Sequence, residues 1–406
     1  MKNSISVKVN KCGNRITYEY EVTGEWCEAF NIDEIQGWFA TAGCGVRDFF
    51  IEYDENIESV PDSIAVIPFL CNVLPISWVY DAEIIASEVD EDFYNSITGF
   101  KRGYIGMYPD ADLRGSLTPG RLITNRLSPV SQGSLLFFSG GVDANFTLLS
   151  TLEKRPLLVT LWGADIYFSN IKEWEVVSDQ NRAVARTLGL QYAPVKSSFR
   201  FFINYRVLDE KFARPNQASS WWHGFQHGIG LIGHSAPLAW KRSLREIYIA
   251  SSYSIKDDQN TKCASWPTID QFLRFSDCMV SHHDFRYTRQ AKLREICNMS
   301  ECLNVPVTLR VCWQPGHATN CGKCEKCLRT MFGVLAESRD PQRFGFSTEP
   351  KLLVEIAELL KAKKVRPTKF WTEIVEKLSE TPLSTESHVR ALIESHYEAK
   401  ELGKLI

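Results

Sequence analysis

The sequence predicts an α/β protein: a mostly parallel sheet with helices on both faces, preceded by an α+β region and followed by a helical tail. Three observations carry that expectation. From Ser134 onward, short apolar runs (LLFF, LLVTLWG, EIYIASS) alternate with amphipathic stretches such as NRAVARTLG, as parallel strands and their covering helices do. Ahead of that region, ISVKVN and RITYEYEV alternate polar and apolar residues like half-buried hairpin strands. Beyond about residue 350, KLLVEIAELLKAKK, FWTEIVEKLSE and SHVRALIESHYEAKELGKLI place apolar residues at helical spacing.

Taken in order, the opening hairpin leads to VPDSIAVIPFLCNVLPISWVY, whose three prolines predict buried short helices rather than one long one. DAEIIASEVDEDFYNSI reads as a strand running into a helix capped by Asp90 or Asp92. Residues 108–130 are rich in Gly, Pro, Ser and Arg without periodicity, and so mark a boundary. The expected division is an accessory α+β domain at 1–130, a nucleotide-type α/β domain at 131–340 and a helical extension at 341–406.

Composition excludes several classes. In 406 residues, 46 Lys and Arg against 49 Asp and Glu give a net charge of −3, which argues against a broad nucleic-acid-gripping face. The start, MKNSISVKVNK, lacks the apolar core of a secretion signal, and no run is long enough to span a bilayer, so the expected compartment is the cytoplasm. There the 12 cysteines are expected as reduced thiols or metal ligands.

Two stretches carry chemistry. In SLLFFSGGVDANFTLLSTL, an apolar strand meets Ser139, Gly140 and Gly141, and a helix follows at once. Such a turn presents consecutive backbone N–H groups and a helix N-terminus, the makings of an anion site. The glycines remove the Cβ atoms that would hold phosphate oxygens off, and Ser139 adds a hydroxyl donor. Asp143 can cap the helix or hold a divalent cation such as Mg2+ beside the phosphates. The plainer reading is a glycine-rich turn with a good cap. No Gly-Lys-Ser/Thr follows, and the dinucleotide G-x-G-x-x-G is absent. The second stretch, VCWQPGHATNCGKCEKCLRTM, brings Cys312, Cys321, Cys324 and Cys327 within sixteen residues, the pattern of a closed structural zinc site. An iron–sulfur cluster is the main rival, and His317 an alternative ligand.

FFSGGVDA resembles the Ser-Gly-Gly-x-Asp-Ser signature of the N-type ATP pyrophosphatases, with Ala144 in place of the last serine. The resemblance implies a Rossmann-like adenine-nucleotide α-hydrolase fold, with Ser139, Gly140, Gly141, Val142, Asp143 and Ala144 forming the ATP loop. With the spaced cysteines downstream, the region from about 134 to 335 is similar to the QueC-like family of 7-cyano-7-deazaguanine synthases. That likeness implies a Zn2+ near the active site and adenylation of a 7-carboxy-7-deazaguanine by ATP, followed by transfer of the acyl group to nitrogen. It also implies Asp165 near the adenine, at the end of the second strand, and a substrate- or pyrophosphate-binding cation at Arg289 or Lys292, after Thr288. In the family, the loop before a helix is Pro-Gly-Arg-Asn; here Gly224, Gln226, His227 and Gly228 of WWHGFQHGIGLIGHSAPLAW stand in its place, with His227 as a candidate proton carrier. Tight glycine packing with satisfied histidines is the other reading of that stretch. His282, His283 and Asp284 suggest a second metal only weakly, since no other ligand accompanies them. The longer outline resembles the QueC-like proteins of anti-phage defence operons (Qat and type IV CBASS), where the acceptor is thought to be the N-terminal amine of a partner protein. The accessory domain would then dock that partner. Ammonia as acceptor, a tRNA-modifying relative and a non-catalytic nucleotide-binding adaptor are the alternatives.

Overall fold

The computed structural model describes residues 2–30, 43, 46–127, 132–257, 261–314, 317–365 and 367–401. One sheet of 11 strands runs through it, in the order β10-β11-β9-β6-β7-β8-β3-β2-β1-β4-β5. Ser4–Cys12 (β1) and Arg15–Thr23 (β2) pair as an antiparallel hairpin turned at Gly13, whose φ of 58° suits a residue without Cβ. Phe50–Glu52 (β3) lies between β2 and Tyr192–Ser197 (β8) and is antiparallel to both.

Helix Ile67–Val79 (α1) contains Pro75, so the expected break into short pieces occurs only before it, at the single turn Asp62–Ala65. Nearly every residue of α1 is buried, and packing on all sides holds a helix that Pro75 alone would weaken. Glu83–Asp90 (β4) runs into Glu91–Met107 (α2), and Asp90 caps it by accepting from the Phe93 N–H at 2.9 Å. The presumed featureless stretch after α2 contains an eight-residue strand, Ser116–Ile123 (β5), parallel to β4. As the outermost strand it tolerates Pro119, which an interior strand would not. The expected boundary at 130/131 lies outside the described residues.

The second half alternates as expected: Gly133–Phe137 (β6), Val142–Ser150 (α3), Leu157–Trp162 (β7), Ile171–Thr187 (α4), β8, Ser235–Arg242 (α5) and Leu244–Ala250 (β9). A two-residue strand, Arg274–Phe275 (β10), and Cys278–His283 (β11) then lead to Arg289–Cys302 (α6) and Glu325–Ala336 (α7). Within this half, β8, β7, β6, β9 and β11 are parallel neighbours, an order 3-2-1-4-5. The strands look uniformly apolar because both faces are covered: Leu135, Leu157, Val159 and Ile247 enter one core, whereas Leu136, Leu158 and Tyr248 enter another. The first of these cores also takes in β1, β2, α1 and α2, so the strands of residues 1–130 and of 131–340 share an interior as well as a sheet.

The tail forms Pro350–Lys361 (α8), Thr372–Ser379 (α9) and Ser387–Glu401 (α10), which close a third core with α3, α6, α7 and the cysteine loop. Among the described residues, no helix is long and apolar enough to cross a membrane, and every cysteine is unpaired.

Candidate functional site

The order 3-2-1-4-5 reverses direction between β6 and β9, the point at which sheets of this kind bind ligands, outside the carboxyl ends of the strands. Ser139, Gly140 and Gly141 leave β6 at that point. Gly140 has φ 79°, and an added Cβ would come 3.3 Å from Asn181 Oδ1, so both conformation and space call for glycine. The loop's carbonyls are tied back. Asn145 Nδ2 donates to Gly140 O at 2.8 Å and Gly141 O at 2.9 Å. The Arg310 N–H also reaches Gly140 O at 2.8 Å, and Thr160 Oγ1 donates to Phe138 O at 2.7 Å. With these oxygens occupied, the N–H groups opening α3 are the loop's remaining polar offer. Ser139 is exposed beside them, its Oγ accepting weakly from the Gly141 N–H at 3.4 Å. Val142 and Ala144 are buried in the cores on either side, so only their main chain can face a ligand.

Asp143 does not cap the helix; Gly141 occupies that position without a side-chain bond. Its carboxylate instead receives Arg289 Nη2 at 2.7 Å and Lys292 Nζ at 3.2 Å. Burial alone would raise the Asp143 carboxyl, but the neighbouring Arg289 and Lys292 outweigh it and hold its pKa below the usual range. Burial pushes the Lys292 ammonium down, against the pull of Asp143, and Lys292 also donates to Ser251 O at the end of β9. Two further cations come from the first turns of α7. Arg329, buried, lies 3.5 Å from Glu325 and is pushed down to about 10 by dehydration and then by the repulsion of Arg289. Lys326 sits at the exposed rim, and crowding by the same cluster lowers its pKa, dehydration first and Arg289 next.

Three of these cations contact two carboxylates, Asp143 and Glu325, with Lys326 beside them, and the Nε–H groups of Arg289 and Arg329 are buried without an acceptor among the described residues. Such an excess of positive charge against a glycine turn suits a polyanion. A Mg2+ held by Asp143 would first have to displace these cations, and Lys292 has the longer contact. Sequence reasoning found Arg289, Lys292 and Asp143 but missed Arg329 and Lys326; the interleaving of cations in CEKCLR was the available signal.

The same α7 begins in the cysteine cluster. Cys312, Cys321, Cys324 and Cys327 have their sulfurs within 4.8 Å of one another, with 4.0 Å between Cys312 and Cys324 and 3.9 Å between Cys321 and Cys327. A tetrahedral ion with bonds of about 2.3 Å needs sulfurs about 3.8 Å apart, so the four fit a metal such as Zn2+ with little adjustment. Gly322 at φ 71° makes the knuckle, and the Cys324 N–H donates to Cys321 Sγ at 3.3 Å. His317 is not part of the cluster, and His282, His283 and Asp284 form no second one among the described residues. His282 Nδ1 is instead 2.8 Å from the buried Asp270 carboxylate.

His227 follows the π-helical turn Trp222–Gln226. Its ring packs edge-on to Trp222 with centroids 5.0 Å apart, and its Nδ1 lies 3.8 Å from Cys263 Sγ. Dehydration, partly opposed by Asp165 and then reinforced by His223 and Arg200, pushes its pKa down to about 4, so it is neutral at neutral pH. Asp165, exposed just past β7, is thus close enough to act on His227, and it also acts on Lys326. The other reading, tight glycine packing with satisfied histidines, holds for the later part of WWHGFQHGIGLIGHSAPLAW, whereas His223 Nδ1 is buried without a hydrogen-bond partner among the described residues. Gly230 and Gly233 pack against Asn72 and Cys71, and His234 is satisfied by Ser197 Oγ at 2.8 Å and Gly230 O at 2.7 Å.

Scanned against models of known protein families the chain matches none, and no curated protein matches it. What stands is an α/β chain whose mostly parallel mixed sheet carries a glycine turn, a cation cluster and a four-cysteine site able to bind a metal such as Zn2+.

Proposed function

We propose that this chain is a QueC-like, pyrophosphate-loop enzyme. It uses ATP to adenylate the carboxylate of a 7-deazaguanine and passes the acyl group to a nitrogen nucleophile, the N-terminal amine of a partner protein in an anti-phage defence system. The supporting observation is the convergence, at the reversal of a 3-2-1-4-5 sheet, of the Ser139–Asp143 loop, the Arg289, Lys292 and Arg329 cations and the cysteine-anchored start of α7.

The loop amides and Ser139 hold the β- and γ-phosphates, and Arg289, Lys292 and Arg329 leave Asp143 and Glu325 to neutralise them. Asp143, so released, is free to hold the Mg2+ that accompanies ATP. A substrate carboxylate oxygen attacks the α-phosphorus, the bond to the β-phosphate breaks, and pyrophosphate departs among the cations. The amine then attacks the acyl carbon, the acyl–oxygen bond to AMP breaks, and the amine gives up its proton; His227, which burial keeps neutral, is the candidate proton carrier. Asp165 meets the adenine side of the crevice. Cys312, Cys321, Cys324 and Cys327 would hold a Zn2+ that supplies no reaction step, because a closed four-thiolate site is structural; bound there, it would fix the turn from which Lys326 and Arg329 project.

Incubation with ATP, Mg2+ and 7-carboxy-7-deazaguanine, with either ammonia or proteins encoded beside it, tests the reading. Release of AMP and pyrophosphate with a deazaguanine-sized mass added to a partner's N-terminus is the expected result. A free nitrile formed from ammonia, with no labelled protein, would make the chain a biosynthetic synthase. No release of AMP or pyrophosphate under any arm would end the enzymatic reading.

A further inference from the structure

The helical tail holds both helices that supply the cations. Thr288 caps α6, its Oγ1 accepting from the Ala291 N–H at 3.2 Å, and that hydroxyl donates to Glu373 of the tail at 2.7 Å. Arg289 and Lys292 are one and four residues further on. At α7, the fully buried Trp371 donates Nε1–H to Glu325 Oε1 at 2.7 Å, and the same oxygen is the one 3.5 Å from Arg329. Phe370 lies under the Arg329 guanidinium, 4.9 Å from ring centre to Cζ. A third tie, Lys377 to Glu337 at 2.6 Å, secures the other end of α7, and Gln290 of α6 donates to that same carboxylate at 2.6 Å. Three successive tail contacts thus end on the two elements whose geometry sets the cation cluster.

We infer that the segment Thr368–Lys377 is a brace for the anion site, with Glu373 and Trp371 as positioning residues that touch no substrate. Glu373 fixes the first turn of α6, from which Arg289 and Lys292 project. Trp371 occupies part of the Glu325 carboxylate that would otherwise turn fully onto Arg329 and neutralise it. The inference rests on the reading of this crevice as a phosphate site, and it gives the tail a share in that site's affinity.

The full-length chain tests it through two substitutions. Glu373 is partly exposed, so E373A removes the tie to Thr288 with little loss of packing; W371F removes the indole donor and keeps an aromatic ring. Binding of Mg2+-pyrophosphate, followed by calorimetry, is expected to weaken about fivefold in each, with the melting temperature of E373A unchanged. In turnover, KM for ATP rises more than kcat falls. T288S, which keeps the cap hydroxyl, retains wild-type affinity, whereas T288A does not. Amide exchange in the ligand-free protein supplies an independent readout, faster at 289–292 and 326–329 in E373A. Wild-type affinity together with unchanged exchange in folded E373A and W371F overturns the brace. A wild-type protein that binds neither pyrophosphate nor ATP overturns the phosphate reading instead, and with it the brace's assigned purpose, whatever the exchange shows.

Discussion

Removing the metal from the cysteine cluster should do more than empty a site. Cys327 is fully buried in the core formed by α3, α6, α7 and the tail, and Cys312 and Cys324 are nearly so. The sulfurs are 3.9–4.0 Å apart in two pairs, and all four lie within 4.8 Å of one another, against the roughly 3.8 Å edge of a tetrahedral zinc thiolate. The scaffold therefore holds the ligands close to their bound positions, and metal binding adds directly to stability. At free zinc a thousandfold above Kd that contribution is about 4 kcal/mol. Without the ion, thiolates crowded at this spacing must protonate or separate, which would pull α7 from the core. The purified protein should carry one zinc per chain by elemental analysis. Chelation should lower its melting temperature and expose four thiols to Ellman's reagent, and C327S should reproduce that loss. A protein purified metal-free from zinc-replete cells, with a melting temperature that does not rise on zinc addition, would refute the reasoning.

Other expectations concern the loop and its neighbours. G140A places a Cβ at φ 79° and against Asn181, so it should cost about 1–2 kcal/mol in stability and weaken ATP binding, both readable by thermal shift with and without ATP. D143A leaves the buried Lys292 ammonium without its carboxylate and should destabilise by about 3–5 kcal/mol in denaturant titration, while D143N should retain part of that loss. His227 and His234 are both depressed to about 4 from an ordinary 6.5, so the folded state keeps them neutral. Unfolding then takes up protons between those values, and stability present above pH 6.5 is lost as pH falls toward 4, by up to about 3 kcal/mol per histidine. Melting between pH 7 and 4.5 should show this loss reduced in H234Q; an unchanged slope would contradict it.

Much of the second half was legible because strand and helix periods are local properties. The runs at Leu135 and Leu157 are apolar throughout since each face meets a different core, and the glycine turn and cysteine spacing carry their chemistry within a few residues. The first half was harder to read. Pro75 sits inside a helix because neighbours on every side hold it, a tertiary effect that no window of sequence contains. Strand β5 was hidden by Pro119 and Gly120, which an outer strand tolerates. At the site, Asn145 and Thr160 matter through the carbonyls they restrain, and a polar residue on a helix or strand gives no hint of that. The pairing of Asp143 with Arg289 and Lys292 joins residues nearly 150 positions apart, so no local window shows that this acid pairs with two cations and does not cap its helix.

The strand β3 is only three residues long, yet among the described residues it is the strand that pairs the leading strands with the trailing ones, through Ile51 opposite Ser197 and Glu52 opposite Lys196. That suture lies at the carboxyl end of β8, a few residues before Arg200, whose guanidinium stacks on Trp222 4.3 Å away. The leading strands and the residues around His227 accordingly belong to one continuous plate and not to two bodies on a tether.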